Sequence, residues 1–119
     1  MGSKILLIDD DVDLLESYEE DLQLSGHDVL VASTPKYGLE LYSKHLPCIV
    51  FLDVRMPEMD GYELFSKIRE LDPLAKVVIV TGHGNEEKLI LAQNNGLLDV
   101  LKKPVNPKQL DDTIKKNNC

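Results

Sequence analysis

Four short stretches of this chain hold residue types that could do chemistry as a set: Asp9-Asp10-Asp11, Asp53, Thr81 and Lys102-Lys103-Pro104. Taken singly, an aspartate after an apolar run is usually a helix N-cap, and Asp11, just ahead of Val12, reads that way. Asp53 does not. It follows Ile49-Val50-Phe51-Leu52 and precedes Arg55-Met56-Pro57, where no helix begins, so its carboxylate should be partly desolvated. Bringing Asp9, Asp10 and Asp53 together is costly, because two carboxylates ~4 Å apart repel by about 4 kcal/mol at an effective dielectric near 20. Lys103 would cancel one charge and leave a residue of about −2. A hard divalent cation with oxygen ligands fits that deficit, and so few protein carboxylates favour Mg2+ with waters retained. A carboxylate beside Mg2+, with an ammonium and a hydroxyl near it, suits phosphoryl transfer. Asp53 would attack phosphorus while the metal and Lys103 neutralise the equatorial oxygens.

Five apolar runs must position these groups: Ile5–Ile8, Val29–Ala32, Ile49–Leu52, Val77–Val80 and Val100–Leu101. The middle three are continuous and rich in β-branched residues, the pattern of strands covered on both faces. Between the runs lie helix-spaced apolar residues: Val12, Leu15, Tyr18 and Leu22, then Leu64, Phe65, Ile68 and Leu71, then Leu110 and Ile114. Thr34-Pro35 and Asn106-Pro107 read as an N-cap followed by an N1 proline, and Gly26 and Gly96 stand where helices should stop. Pro47, Pro57, Pro73 and Pro104 fall in connections. The order is therefore β-α five times, with the fourth helix at about 86–95. Such alternation implies a parallel sheet joined by right-handed crossovers, with helices on both faces. Ligands of open parallel sheets bind outside the carboxyl ends of the strands, near the switch in strand order. The first, third, fourth and fifth runs end at Asp9–Asp11, Asp53, Thr81 and Lys102–Pro104, so all the candidate groups should converge on one edge.

Composition narrows the function further. The chain has 119 residues, 43% hydrophobic and 29% charged. That is one domain's length, burying roughly 65% of the unfolded surface. No apolar run approaches the ~20 residues of a membrane span. The net charge of −8 argues against nucleic acid as a direct ligand. The charge is also uneven: residues 1–28 hold nine acids and one base, whereas residues 102–119 hold five bases and two acids. The start has no signal-peptide h-region and no targeting segment is visible. Cys48 and Cys119 lie 71 positions apart, so reduced thiols in a cytosolic protein are expected, with Cys48 a packing residue. His27, His45 and His83 share no metal-ligand spacing. Tyr37, Tyr42 and Tyr62 read as half-buried packing groups, and 5% aromatics without Trp make no stacking platform for sugars or bases.

The combination of Ile5–Asp11 (ILLIDDD), Phe51–Leu64 (FLDVRMPEMDGYEL), Val77–Gly84 (VVIVTGHG) and Asp99–Pro104 (DVLKKP) resembles the receiver domain of two-component response regulators, over essentially the whole chain. The resemblance implies a three-layer (βα)5 flavodoxin-like, CheY-like fold with a five-stranded parallel sheet in the order 2-1-3-4-5. It implies a receiver domain over 4–116, with 1–3 and 117–119 as terminal tails. It also implies a cytoplasmic switch, not an enzyme beyond its own phosphorylation and dephosphorylation. By position, Asp53 would be the phosphoacceptor, served by a histidine kinase or phosphotransfer domain docked over the first helix near Val12–Tyr18. Asp10 would be the chief acidic ligand of Mg2+, Asp9 would act largely through metal-bound water, and the Arg55 carbonyl would complete the set with Asp53. Lys103 would contact the phosphoryl oxygens, its bond to Pro104 being cis as in the family. Thr81 would hydrogen-bond the phosphoryl group and draw the next loop inward, with the small Gly82 keeping access open. Arg55 and His83 would influence the phosphoryl lifetime. An output domain or a homodimer would use the face of the fourth helix, fifth strand and fifth helix, with no direct contact to nucleic acid or membrane. One departure bears on that output: the family often has an aromatic three positions before the lysine, and here it is Val100.

Other readings fare worse. Asp9, Asp11, Asp13 and Glu20 match four EF-hand loop positions, but Leu14 stands where that loop needs Gly, and a strand precedes it. A flavin site of similar topology would be repelled by three aspartates. An aspartate-nucleophile phosphohydrolase would want a second acid where Arg55 stands. A receiver-like interaction module working without phosphorylation remains the alternative, although it would be marked by loss of Asp53, Lys103 or the acidic pair.

Overall fold

The computed structural model describes residues 4–82 and 86–119. Five strands, β1 (Lys4–Ile8), β2 (Asp28–Ala32), β3 (Ile49–Asp53), β4 (Val77–Thr81) and β5 (Asp99–Lys102), alternate with five helices. These are α1 (Val12–Leu24), α2 (Pro35–His45), α3 (Gly61–Leu71), α4 (Glu86–Asn94) and α5 (Pro107–Lys116). All strand pairings are parallel and the sheet order is β2-β1-β3-β4-β5. Every element expected from the sequence is present, with ends moved by a residue or so.

Alternation within each strand divides the core in two. Leu6, Ile8, Val50, Leu52, Val77 and Ile79 point to one face, where α2, α3 and α4 add Leu41, Tyr42, Leu64, Phe65, Ile68 and Ala92. Ile5, Leu7, Ile49, Phe51, Val78 and Val80 point to the other, where α1 and α5 add Leu15, Tyr18, Leu22, Leu110 and Ile114. Covering both faces is why β3 and β4 are buried at every position. The outermost residues of two stripes fall away from the core: Val12 and Leu71 are more than half exposed, since each sits at a helix end beyond the neighbouring strand. Of the tyrosines, Tyr42 is fully buried, not half-buried, and its hydroxyl donates to Asp72 Oδ2 at 2.7 Å.

Helix boundaries follow their caps. The side chains of Asp11, Thr34, Asp60 and Asn106 accept from backbone N–H groups of the first turns of α1, α2, α3 and α5, and Asn106 forms a reciprocal capping box with Gln109. Gly26 and Gly96 take φ of 94° and 93°. In both places the following residue's N–H reaches back to a last-turn carbonyl, His27 to Leu22 and Leu97 to Ala92.

The cysteines correct an expectation. They are not reduced thiols: Cys48 and Cys119 form a disulfide with Cα atoms 5.8 Å apart. Separation along the chain misled here, because the turn into β3 and the end of α5 meet at the amino edge of the sheet. Residues 117–119 are correspondingly tied down. Lys76 Nζ donates to the Asn117 carbonyl, and the Cys119 N–H donates to the Ile114 carbonyl.

Candidate functional site

The carboxyl edge of the sheet brings together what lay 94 residues apart along the chain. β1 runs beside β3, with Ile8 opposite Leu52, so Asp9 and Asp53 leave adjacent strand tips. β4 pairs with β3 through Asp53 and Val80, and with β5 through Thr81 and Lys102. The Lys103 N–H donates to the Thr81 carbonyl, which aims the Lys103 side chain back across the sheet edge. Its Nζ lies 3.0 Å from Asp9 Oδ2 and 3.5 Å from Asp53 Oδ1. Oxygens of Asp9, Asp10 and Asp53 all lie within 4.8 Å of one another. An open cleft of about 420 Å³ is lined by Asp9, Asp10, Asp11, Asp53, Arg55, Gly82 and Lys103.

Burial separates the three acids. Asp9 and Asp53 are 7% and 5% exposed, whereas Asp10 faces solvent. Asp9 is heavily committed, accepting from Lys103 and from the Asp11 N–H at 3.0 Å. Burial, followed by the charge of Asp9, pushes the Asp53 carboxyl above the ordinary carboxylate value. Lys103 and the Arg55 N–H pull the other way without winning. For Lys103, burial works against the ammonium, yet hydrogen bonds and charges from Asp9 and Asp53 outweigh it and raise its pKa. One cation therefore serves two buried carboxylates and leaves the site short of positive charge. An all-oxygen, net-negative cluster with one exposed carboxylate is the donor set a hard divalent cation takes, so Mg2+ fits.

Thr81 completes the edge. It is 5% exposed, and its Oγ1 is buried without a hydrogen-bond partner among the described residues, which ordinarily costs about 1–3 kcal/mol. Among the described residues a Cβ at Gly82 would meet only Lys103 Cβ, at 3.9 Å, so it is a larger side chain, not a methyl group, that would crowd the cleft. His83 and Gly84 lie outside the described residues. Lys103-Pro104 is cis. Tyr18 holds the neighbouring loop, its hydroxyl donating to the Val105 carbonyl at 2.7 Å.

Sequence reasoning passed over two residues that shape the site. A Cβ on Gly61 would stand 2.5 Å from Val54 Cα and 2.6 Å from the Asp53 carbonyl, so only glycine lets α3 begin this close to the tip of β3. Asp60 caps α3 and also pairs with Lys88 of α4, tying the start of α3 to α4. The signal for both was an Asp-Gly ahead of the helical stripe from Leu64.

The sequence pattern described as the response regulator receiver domain matches residues 5–115. The chain is 39% identical over 100 residues to the C4-dicarboxylate transport transcriptional regulatory protein DctD of Rhizobium meliloti, covering 84% of this chain and 22% of that protein. It is 32% identical over 114 residues to the response regulator protein FleR of Pseudomonas aeruginosa, covering 96% of this chain and 24% of that protein. Thus it spans about a quarter of the length of these curated relatives. Among solved structures, a CheY-like response regulator receiver domain protein from Methanospirillum hungatei superposes with a TM-score of 0.92 at 33% identity, covering 98% of this chain and 93% of that one. Among the described residues, no helix is long and apolar enough to cross a membrane.

Proposed function

Because this chain belongs to the response regulator receiver domain family, we propose that it is a phosphorylation-controlled switch whose Asp53 accepts a phosphoryl group from a phosphohistidine. The observation that carries this reading is the desolvated Asp53 carboxylate beside Asp9, Asp10 and the Lys103 ammonium on one sheet edge. An Asp53 oxygen attacks phosphorus in line as the P–N bond of the phosphohistidine breaks. The electron pair leaves on the imidazole nitrogen and Asp53 becomes an acyl phosphate. Mg2+, when bound, offsets the negative charge of the acids and of the transferred group. Asp10, exposed and uncommitted to Lys103, would be its chief acidic ligand. Asp53 and the Arg55 carbonyl would join it, and Asp9, already engaged by Lys103, would act through water. Lys103, 3.5 Å from Asp53, then neutralises the phosphoryl oxygens. Thr81 gains from the phosphoryl group the partner that its hydroxyl lacks among the described residues.

The receiver unit is 4–116, a signalling domain that catalyses only its own phosphorylation and dephosphorylation, and its compartment is the cytoplasm. The donor, a histidine kinase or phosphotransfer domain, docks over α1 near Val12–Tyr18, beside the cleft. Output runs through the α4–β5–α5 face to a further domain, a partner or a second copy. The exposed Ile90 of α4 and Leu98, just ahead of β5, support that choice of surface.

Incubation with acetyl phosphate and Mg2+ tests the chemistry. An acid-labile adduct, 80 Da or so by the mass of a phosphoryl group, should form on the wild type and be absent in Asp53→Asn. An adduct that persists in Asp53→Asn, or none in the wild type, would instead favour an interaction module that works without phosphorylation.

A further inference from the structure

The disulfide stands at the edge of the sheet opposite Asp53, and the proposed phosphotransfer makes no use of it. Cys48 enters β3 two residues after Leu46, which ends α2 at φ 44°, and Cys119 follows Asn118, which reverses the chain after α5 at φ 62°. Both helices therefore end in left-handed turns that deliver the cysteines to one another. Each cysteine is half-buried, so the pair is held in place without being sealed in the core. Lys76 Nζ lies 4.0 Å from Cys119 Sγ while donating to the Asn117 carbonyl at 2.7 Å. A cation there stabilises the thiolate form, which is the form that attacks and leaves in exchange.

We propose that Cys48 and Cys119 are a reversible dithiol–disulfide site that exchanges with low-molecular-weight disulfides of the glutathione class and, when closed, clamps the end of α5 to the start of β3. In the first step the Cys119 thiolate attacks one sulfur of the small disulfide, forming a mixed disulfide and expelling a thiolate. Cys48 then attacks Cys119 Sγ and expels the second. One S–S bond forms as one breaks, and the two cysteine protons end on the two released thiols. A cytoplasmic compartment holds ordinary disulfides open, so a pair kept in register there serves as a sensor that closes when the thiol pool is oxidised. The closed bond restrains a loop of 71 residues, which makes it a large constraint on the unfolded chain.

Equilibration in glutathione buffers of increasing oxidation, followed by alkylation and intact-mass measurement, tests the site. Two thiols should disappear together, without dimer formation, as the buffer passes from reduced to oxidised, and the melting temperature should rise by about 10 °C. Thiols that stay free in excess oxidised glutathione overturn the proposal, as does a bond that survives a large excess of the reduced form. Cys119→Ser removes one of the two bridged sulfurs and should melt with the reduced wild type under all conditions. In a Cys48→Ser background, Lys76→Gln should slow Cys119 alkylation several-fold at neutral pH; an unchanged rate removes Lys76 from the site. Amide exchange over 114–119 should be slower in the oxidised form, and equal rates would overturn the clamp.

Discussion

The two edges of this sheet solve opposite problems with similar residues. At the carboxyl edge, two buried aspartates share one ammonium and a buried threonine hydroxyl has no partner among the described residues. At the amino edge, polar groups are spent on closure: Tyr42 donates to Asp72, Asp72 accepts from the Leu74 N–H, and Lys76 donates to Asn117. His27 Nε2 lies 2.7 Å from Asp111, leaving open only its Nδ1. The disulfide stands on this second edge. Cross-links within the fold concentrate at the amino edge, while the carboxyl edge keeps charge and hydrogen-bonding capacity unspent for an incoming cation and phosphoryl group.

That contrast can be broken most forcefully at Lys103. Lys103→Ala leaves Asp9 and Asp53 buried without their cation, and denaturant unfolding should show a loss of about 3 kcal/mol. Millimolar Mg2+ should restore part of that loss and also raise the melting temperature of the wild type. A metal-insensitive melting point in both proteins would mean that the carboxyl edge lacks the deficit ascribed to it. Gly61→Ala comes next. Its Cβ meets backbone, not a yielding side chain, so α3 must shift from the tip of β3, with a cost of about 2 kcal/mol and slower labelling by acetyl phosphate. Wild-type stability and labelling would show that the close approach there is dispensable.

Substitutions at the amino edge that leave the disulfide in place have smaller effects and should leave labelling untouched. Tyr42→Phe removes the hydrogen bond that chiefly holds Asp72 below the ordinary carboxylate value, a loss of about 1 kcal/mol by thermal or chemical unfolding. The sign follows from the depressed folded-state pKa. Asp72's contribution is fully present above about pH 4, the unfolded value, and disappears as pH falls through the lower folded value. Tyr42→Phe should therefore cost most at neutral pH, with its stability curve converging on the wild type in acid; a constant difference at all pH values would deny the coupling. Smallest is Leu46→Gly. Leu46 is 65% exposed at φ 44°, so glycine forfeits little burial and relieves a left-handed residue, raising stability by about 0.5 kcal/mol. A loss of stability would show that the Leu46 side chain does more than end α2.

What could be read in advance depended on the range of the signal. Strand runs, N-caps at Asp11, Thr34 and Asn106, and stops at Gly26 and Gly96 are local patterns, and each lies where the spacing put it. The convergence of Asp9, Asp53, Thr81 and Lys103 was also legible, because in a parallel sheet every strand delivers its carboxyl end to the same edge. Asp60 and Gly61 stood in a quoted motif without a role, since a close approach between α3 and β3 leaves no periodic trace.

The amino-acid order alone therefore dictated the alternation of elements, the two-faced core and the chemical character of the reactive edge, all of which follow from hydrophobic period and strand direction. Only the folded chain could decide which acid is buried and which faces water, how one lysine divides itself between two carboxylates, and that Cys48 meets Cys119. Those outcomes rest on distances between side chains from distant segments, and a linear pattern carries no such distances until packing brings the segments into contact.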